Sequence, residues 1–254
     1  LIYAAGIIFN DYSDIETDRR EGRIRPLVSG SVTKRPALIL GLSCLVLASV
    51  ISGIVGYLTF LLSSIIIFIA LIYDFKLKQT KVSSIMMGSA RASNIVYGAS
   101  PILIGGIFES EQIQRLIIES ACIFIYVVAI MFVSAREARV HQSNPKWLLV
   151  PILLILVVVT VMITSVILGK FKADLLVNLA ILIFIICYAL FRLIRRIKSE
   201  IGSRQIQNLV KILILCMVIL DSSFVSGVSG LLFGTIVVLF IIPGMILSRL
   251  LYVT

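Results

Sequence analysis

Apolar residues run along this chain in long, nearly unbroken blocks, and most charged positions fall between the blocks. The blocks lie at roughly 37–55, 57–74, 83–107, 113–134, 147–168, 174–194, 205–226 and 229–250. Each is close to the length of about 20 residues that crosses a bilayer as a helix. None shows the alternation of a barrel strand, and helices satisfy their own backbone groups in lipid. The pattern therefore predicts an all-α, multi-pass transmembrane helix bundle of about eight full helices. Residues 1–9, LIYAAGIIF, are too short to span and carry no charged leader or cleavage site. They read as an N-terminal stub whose upstream part is missing. With no internal repeat, low-complexity tract or soluble linker, residues 1–254 read as a single transmembrane domain.

Composition sharpens this reading. Of 254 residues, 59% are hydrophobic and mean hydropathy is +1.11, well above the balance of soluble domains. A net charge of +10 would suit nucleic acid, but the basic residues sit between apolar runs, so the expected partner is the lipid bilayer and not nucleic acid. Cys44, Cys122, Cys187 and Cys216 all lie inside apolar runs without a C-x-x-C spacing, as small buried hydrophobes do. With the loop after residue 9 placed in the cytoplasm and the helices alternating, eighteen Lys and Arg fall on that side. Only Arg115, Lys170 and Lys172 fall on the other. The asymmetry fits the positive-inside rule and puts this opening loop on the cytoplasmic side.

That loop carries the first chemistry. In NDYSDIETDRREGRIRPLVSG, Asp11, Asp14 and Asp18 are spaced i, i+3, i+7, so a continuing helix presents all three on one face. Three like charges on one face need a positive counterpart. Hard cations such as Mg²⁺ take carboxylate oxygens and share themselves with phosphates. Arg19, Arg20, Arg23 and Arg25 follow at once, and guanidinium suits phosphate oxygens. The combination describes a diphosphate site at a membrane face; the alternative is a solvated basic loop. Arg91, Asn94 and Gly98 repeat the spacing inside an apolar block, where a cation faces a cavity or a partner or else the polar pair serves helix packing. In VSAREARVHQ, Glu137 and His141 stand i, i+4 beside Arg136 and Arg139, with a solvated loop as the equal alternative. Tyr73, Asp74, Lys76 and Lys78 mark another helix end, where a tyrosine is also an interfacial anchor. Asp221, deep in an apolar run, reads as an internal hydrogen-bonding acid.

These motifs together resemble the UbiA superfamily of intramembrane prenyltransferases. NDYSDIETD followed by RIRPLVSG resembles its N-D-x-x-D-x-x-x-D and R-P-x-x-S-G signature, and YDFKLK and ARASNIVYG follow in the family's order. The resemblance implies a bundle of about nine helices around a central cavity. It also implies transfer of a polyprenyl group from its diphosphate to an aromatic or other lipid acceptor, with Mg²⁺. Carried over, Asp11, Asp14 and Asp18 are the catalytic and metal-holding acids. Asn10, Arg23, Arg25, Lys78, Arg91 and Asn94 bind the diphosphate or shape the pocket. Tyr97 and Tyr73 are candidates to face a developing allylic cation.

Two departures from the family pattern stand out. Its second aspartate-rich motif should fall at SAREARVHQ, where only Glu137 is acidic. Glu137 is then the remaining metal ligand there, or Arg136 replaces a metal charge at the substrate; EboC-like members look similar in this segment. The chain also lacks the helix and a half expected before the first motif, so it reads as truncated at its N-terminus, which puts activity in this form in question. Two rivals remain. A CDP-alcohol phosphotransferase would need a D-G-x-x-A-R segment that is absent. A non-catalytic or transport protein would bind an anionic prenyl lipid in the same cavity.

Overall fold

The computed structural model describes residues 1–20, 22, 24–78, 80, 82–106, 109–136, 145–195 and 203–243. Among these residues the regular structure is helical throughout. The first helices are α1 (Ile2–Ser13), α2 (Ile15–Arg20), α3 (Pro26–Ser29), α4 (Lys34–Val55), α5 (Tyr57–Ile72) and α6 (Ser83–Ile104). They are followed by α7 (Ser110–Ser134), α8 (Leu149–Ile167), α9 (Asp174–Arg195), α10 (Ser203–Ser229) and α11 (Leu231–Leu239). A π-helical turn, Tyr73–Leu77, prolongs α5, and a 3₁₀ turn, Pro145–Leu148, leads into α8.

Six helical stretches are long and apolar enough to cross a membrane: Lys34–Val55, Tyr57–Leu77, Ser110–Ser134, Lys146–Ile167, Asp174–Arg195 and Arg204–Ser229. Two of the eight expected spans differ. α6 has the length, 22 residues, but its serines, Arg91 and Asn94 dilute its apolar content. The block at 229–250 yields only a short apolar helix, Leu231–Pro243, before the described residues end.

The helices group into two compact units, residues 1–110 and the residues from 111 on. In the first unit, α4 buries small residues, Ala37, Gly41, Ala48 and Ser52, and turns large ones outward, with Ile39 64% and Ile54 81% exposed. Water would penalise that distribution. Lipid does not, and small residues let helices approach closely where no hydrophobic effect drives them together. The approach is tightest at Gly41, where a Cβ would lie 3.1 Å from ring carbons of Phe9 on α1. Polar contacts tie α4, α5 and α6. Tyr97 Oη and Ser52 Oγ are 3.0 Å apart, and Ser100 Oγ lies 2.8 Å from Thr59 Oγ1. Pro101 has no N–H to return to the carbonyl of Tyr97, and the Ser100 hydroxyl, 2.7 Å away, donates to it instead. Ser100 has one hydroxyl proton, shared between the Tyr97 carbonyl and Thr59 Oγ1.

The second unit is built on longer apolar stripes. α7 buries Cys122, Ile123, Tyr126, Val127, Ile130 and Val133 among others, the three-and-four spacing of one helix face. Tyr126 donates from Oη to the Leu213 carbonyl of α10 at 2.9 Å. α9, α10 and α11 share a polar knot. Asn178 Nδ2 donates to Ser222 Oγ and Ser226 Oγ, each at 2.7 Å, and Ser222 Oγ donates to the Gly234 carbonyl at 2.8 Å. Only glycine fits at 234, because a Cβ there would fall 1.8 Å from Ser226 Oγ.

Candidate active site

In the first unit, local sequence brings four segments to one place. α1 ends at Ser13, and Asp14 takes φ −91°, ψ 0° before α2 begins. The break is slight, since Asp14 N still reaches Asn10 O at 3.0 Å and Asp18 N reaches Asp14 O at 2.8 Å. Asp11, Asp14 and Asp18 therefore keep a near-helical succession rather than riding on one continuous helix. Their side chains are graded in exposure, at 22%, 16% and 1%.

Arg25 precedes Pro26, which disfavours helical backbone at the preceding residue. It is extended, φ −114°, ψ 155°, while Pro26 opens α3, where a missing N–H costs nothing. From that position the guanidinium serves two carboxylates. Nη1 donates to Asp11 Oδ1, and Nε lies 3.1 Å from Asp18 Oδ2, at ion-pair distance. Burial alone would pull the Arg25 pKa down, but the charges of Asp11, Asp18 and Asp14 outweigh it and raise it.

The π turn at the end of α5 delivers the second cation. Wide turns of this kind shift the register of the residues that follow and recur at functional sites. Lys78 Nζ donates to Asn10 Oδ1 at 2.7 Å and to Asp14 Oδ2. Two cations thus hold three aspartates, Arg25 taking the first and third and Lys78 the second together with Asn10. Tyr73 and Asp74 lie within electrostatic reach of Asp14, and Asp74 also of Lys78. Asp74 is the one acid of this cluster that the site assignment from sequence left out. Its signal was its place beside Tyr73 in YDFKLK.

The remaining candidates distribute as follows. Arg91, Asn94 and Gly98 all fall on one exposed face of α6, as their spacing requires. Tyr97 lies on the same helix with its hydroxyl engaged by Ser52, a partner the sequence did not suggest. Arg136, in the second unit, lies over the Phe132 ring at 5.1 Å. Arg23, Glu137 and His141 lie outside the described residues. Among the described residues no three His, Cys, Asp or Glu side chains converge as a metal-ligand group. The donors still suit a hard cation. They are carboxylates, two of them partly exposed, and their present partners are charged nitrogens, whose place at the oxygens a divalent cation would take.

A multi-pass helical architecture with paired acids and cations at a helix end defines a class of membrane proteins, and sequence comparison places the chain within it. It belongs to the UbiA prenyltransferase family, whose profile matches residues 1–215. It is 34% identical over 124 residues to a 4-hydroxybenzoate octaprenyltransferase of Actinobacillus pleuropneumoniae serotype 5b (strain L20), a match covering 48% of this chain and 40% of that protein. It is 28% identical over 138 residues to a digeranylgeranylglyceryl phosphate synthase of Metallosphaera sedula, covering 54% of this chain and 47% of the relative. The chain thus matches less than half the length of these curated relatives. A solved structure of a digeranylgeranylglyceryl phosphate synthase has the same fold, with a TM-score of 0.65 at 21% identity, over 89% of this chain and 81% of that one.

Proposed function

We propose that this protein transfers a polyprenyl group from its diphosphate to an aromatic or lipid acceptor in the membrane. The observation that carries this reading is the double bridge, Arg25 between Asp11 and Asp18 and Lys78 between Asn10 and Asp14. It sets acids of a kind that suits a divalent ion beside cations that suit phosphate, at one end of apolar helices. That is where a substrate with a charged head and a hydrocarbon tail belongs. The acceptors named for the two relatives, 4-hydroxybenzoate and a glyceryl phosphate lipid, span the acceptor classes we consider.

Asp11, Asp14 and Asp18 are the residues to hold Mg²⁺, which when bound neutralises diphosphate oxygens. Arg25 and Lys78, together with Arg23, Arg91 and Asn94, bind and orient the diphosphate. As the allylic C–O bond breaks, its electron pair leaves with the diphosphate, and fixed cations stabilise the growing charge. The allylic carbon becomes cationic, and the ring faces of Tyr73 and Tyr97 are the aromatic groups assigned to it. The acceptor's electron pair forms the new bond, and the acceptor gives up a proton. Arg136 and Glu137 are assigned to substrate binding, with Glu137 a further metal ligand. The strong excess of basic residues on one side supports a cytoplasmic location for the aspartate-rich loop.

The test is direct. Membranes containing the protein are incubated with labelled prenyl diphosphates of several lengths, with and without Mg²⁺, and prenylated lipids are identified by mass. A new prenylated species that requires both Mg²⁺ and the protein is expected. Binding of the diphosphate with no product from any acceptor pool would turn the assignment toward the non-catalytic reading.

A further inference from the structure

Where α9 ends and α10 begins, a groove of about 380 Å³ opens between the two helices. Its polar lining is Tyr188 and Arg192 from α9, with Gln205, Asn208 and Lys211 from α10. Leu193, Leu209 and Ile212 supply apolar walls. The spacing explains the convergence: Tyr188 and Arg192 are one turn apart on one face of α9, and Asn208 and Lys211 on one face of α10.

The charge balance of this groove is incomplete from within. Among the described residues, neither Arg192 nor Lys211 forms an ion pair with an acid. Both lie inside membrane-spanning stretches, Asp174–Arg195 and Arg204–Ser229. Arg192 is within one turn of its helix end, and Lys211 is about 12 Å along α10 from Ser203 at 1.5 Å per residue. Long basic side chains so placed reach toward the interface, where basic side chains between helices meet anionic lipid. Two cations facing one groove repel unless an anion sits between them, and a cation within a span is expected to have a partner. The groove also borders the lipid-facing surface, with Phe184 72% and Phe191 52% exposed on α9 and Leu215 42% exposed on α10. A ligand there can carry acyl chains.

We propose that this groove holds the phosphate headgroup of an anionic phospholipid from the surrounding bilayer. Arg192 and Lys211 pair with the phosphate oxygens, and Tyr188, Gln205 and Asn208 hydrogen-bond to the phosphate and glycerol oxygens. The acyl chains run along the exposed apolar faces. The site uses none of the residues assigned to prenyl transfer.

The experiment is native mass spectrometry of the purified full chain in detergent. It is equilibrated with phosphatidylglycerol or phosphatidylcholine of identical acyl chains, with and without millimolar inorganic phosphate. The wild type is expected to retain phosphatidylglycerol about tenfold more strongly than phosphatidylcholine, with free phosphate leaving that preference in place. The Arg192→Gln, Lys211→Gln double variant should lose the preference, and Lys211→Arg should keep it. Equal retention of the two lipids by the wild type would overturn the proposal whatever the variants do. So would displacement of the lipid by free phosphate, or an unchanged preference in a folded double variant.

Discussion

Arg25 holds its Nε 3.1 Å from Oδ2 of Asp18, a carboxylate only 1% exposed. The same guanidinium reaches Asp11, so one side chain neutralises two acids that a helix alone would leave to repel each other. Removing one partner of a buried pair costs about 3–5 kcal/mol. Arg25 itself is 31% exposed, so solvent screening brings the expectation for Arg25→Gln to roughly 2 kcal/mol. Arg25→Lys should recover little of this, because an ammonium lacks the planar fork that serves two carboxylates. Thermal unfolding in detergent of Arg25→Gln, Asp18→Asn and the double variant gives the coupling. A coupling near zero would mean that Asp18 is held by something else.

Lys78 makes the corresponding bridge across a sequence separation of 68 residues to Asn10. Lys78→Gln keeps a donor for Asn10 but removes the charge opposite Asp14. Prenyl transfer should fall about 10²-fold through weaker stabilisation of the leaving diphosphate, with protein level unchanged. Transfer measured against diphosphate concentration checks this, and an unaltered rate would remove Lys78 from the site.

Tyr97 gives a prediction with the opposite sense. Its hydroxyl is engaged by Ser52 at 3.0 Å, so only its ring face is assigned to the allylic cation. Tyr97→Phe should therefore retain transfer within a few-fold and lose only about 0.6 kcal/mol of stability, the average for hydrogen bonds between membrane helices. Tyr97→Ala should lose most transfer. If Tyr97→Phe abolishes transfer while the fold persists, the hydroxyl has a chemical role that this account omits.

Gly234 tests the packing of the second unit. A Cβ there would meet Ser226 Oγ at 1.8 Å and the Ser222 carbonyl oxygen at 2.8 Å. Gly234→Ala should destabilise by about 1–3 kcal/mol, the usual range for overpacking. Adding Ser226→Ala removes the nearest obstacle and should restore part of that loss, as read from unfolding midpoints. Because Ser222 O remains close, full restoration is not expected.

Much of the fold was legible because lipid imposes a simple rule: a span must be long, apolar and helical. The runs at 37–55, 113–134 and 174–194 became α4, α7 and α9 with boundaries shifted by only a few residues. The run at 83–107 became α6, although Arg91, Asn94 and several serines dilute its hydropathy. The π turn at Tyr73–Leu77 leaves no mark in hydropathy, since one added residue in a turn depends on tertiary contacts. At the site, the need for cations opposite Asp11, Asp14 and Asp18 follows from like charges on one face. That Arg25 and Lys78 supply them does not, because Lys78 arrives from a distant helix end. Ser52 was likewise invisible as a partner of Tyr97, being one small polar residue in an apolar run.

The central claim is that Asp14, facing Lys78, belongs to a Mg²⁺-dependent diphosphate site. The most direct measurement compares wild-type and Asp14→Asn membranes, matched for protein level, for transfer of a labelled prenyl group with Mg²⁺ and after chelation. The account predicts transfer by the wild type that chelation abolishes, and a loss of about 10²-fold or more in Asp14→Asn. Undiminished transfer by Asp14→Asn, or wild-type transfer indifferent to chelation, would contradict it.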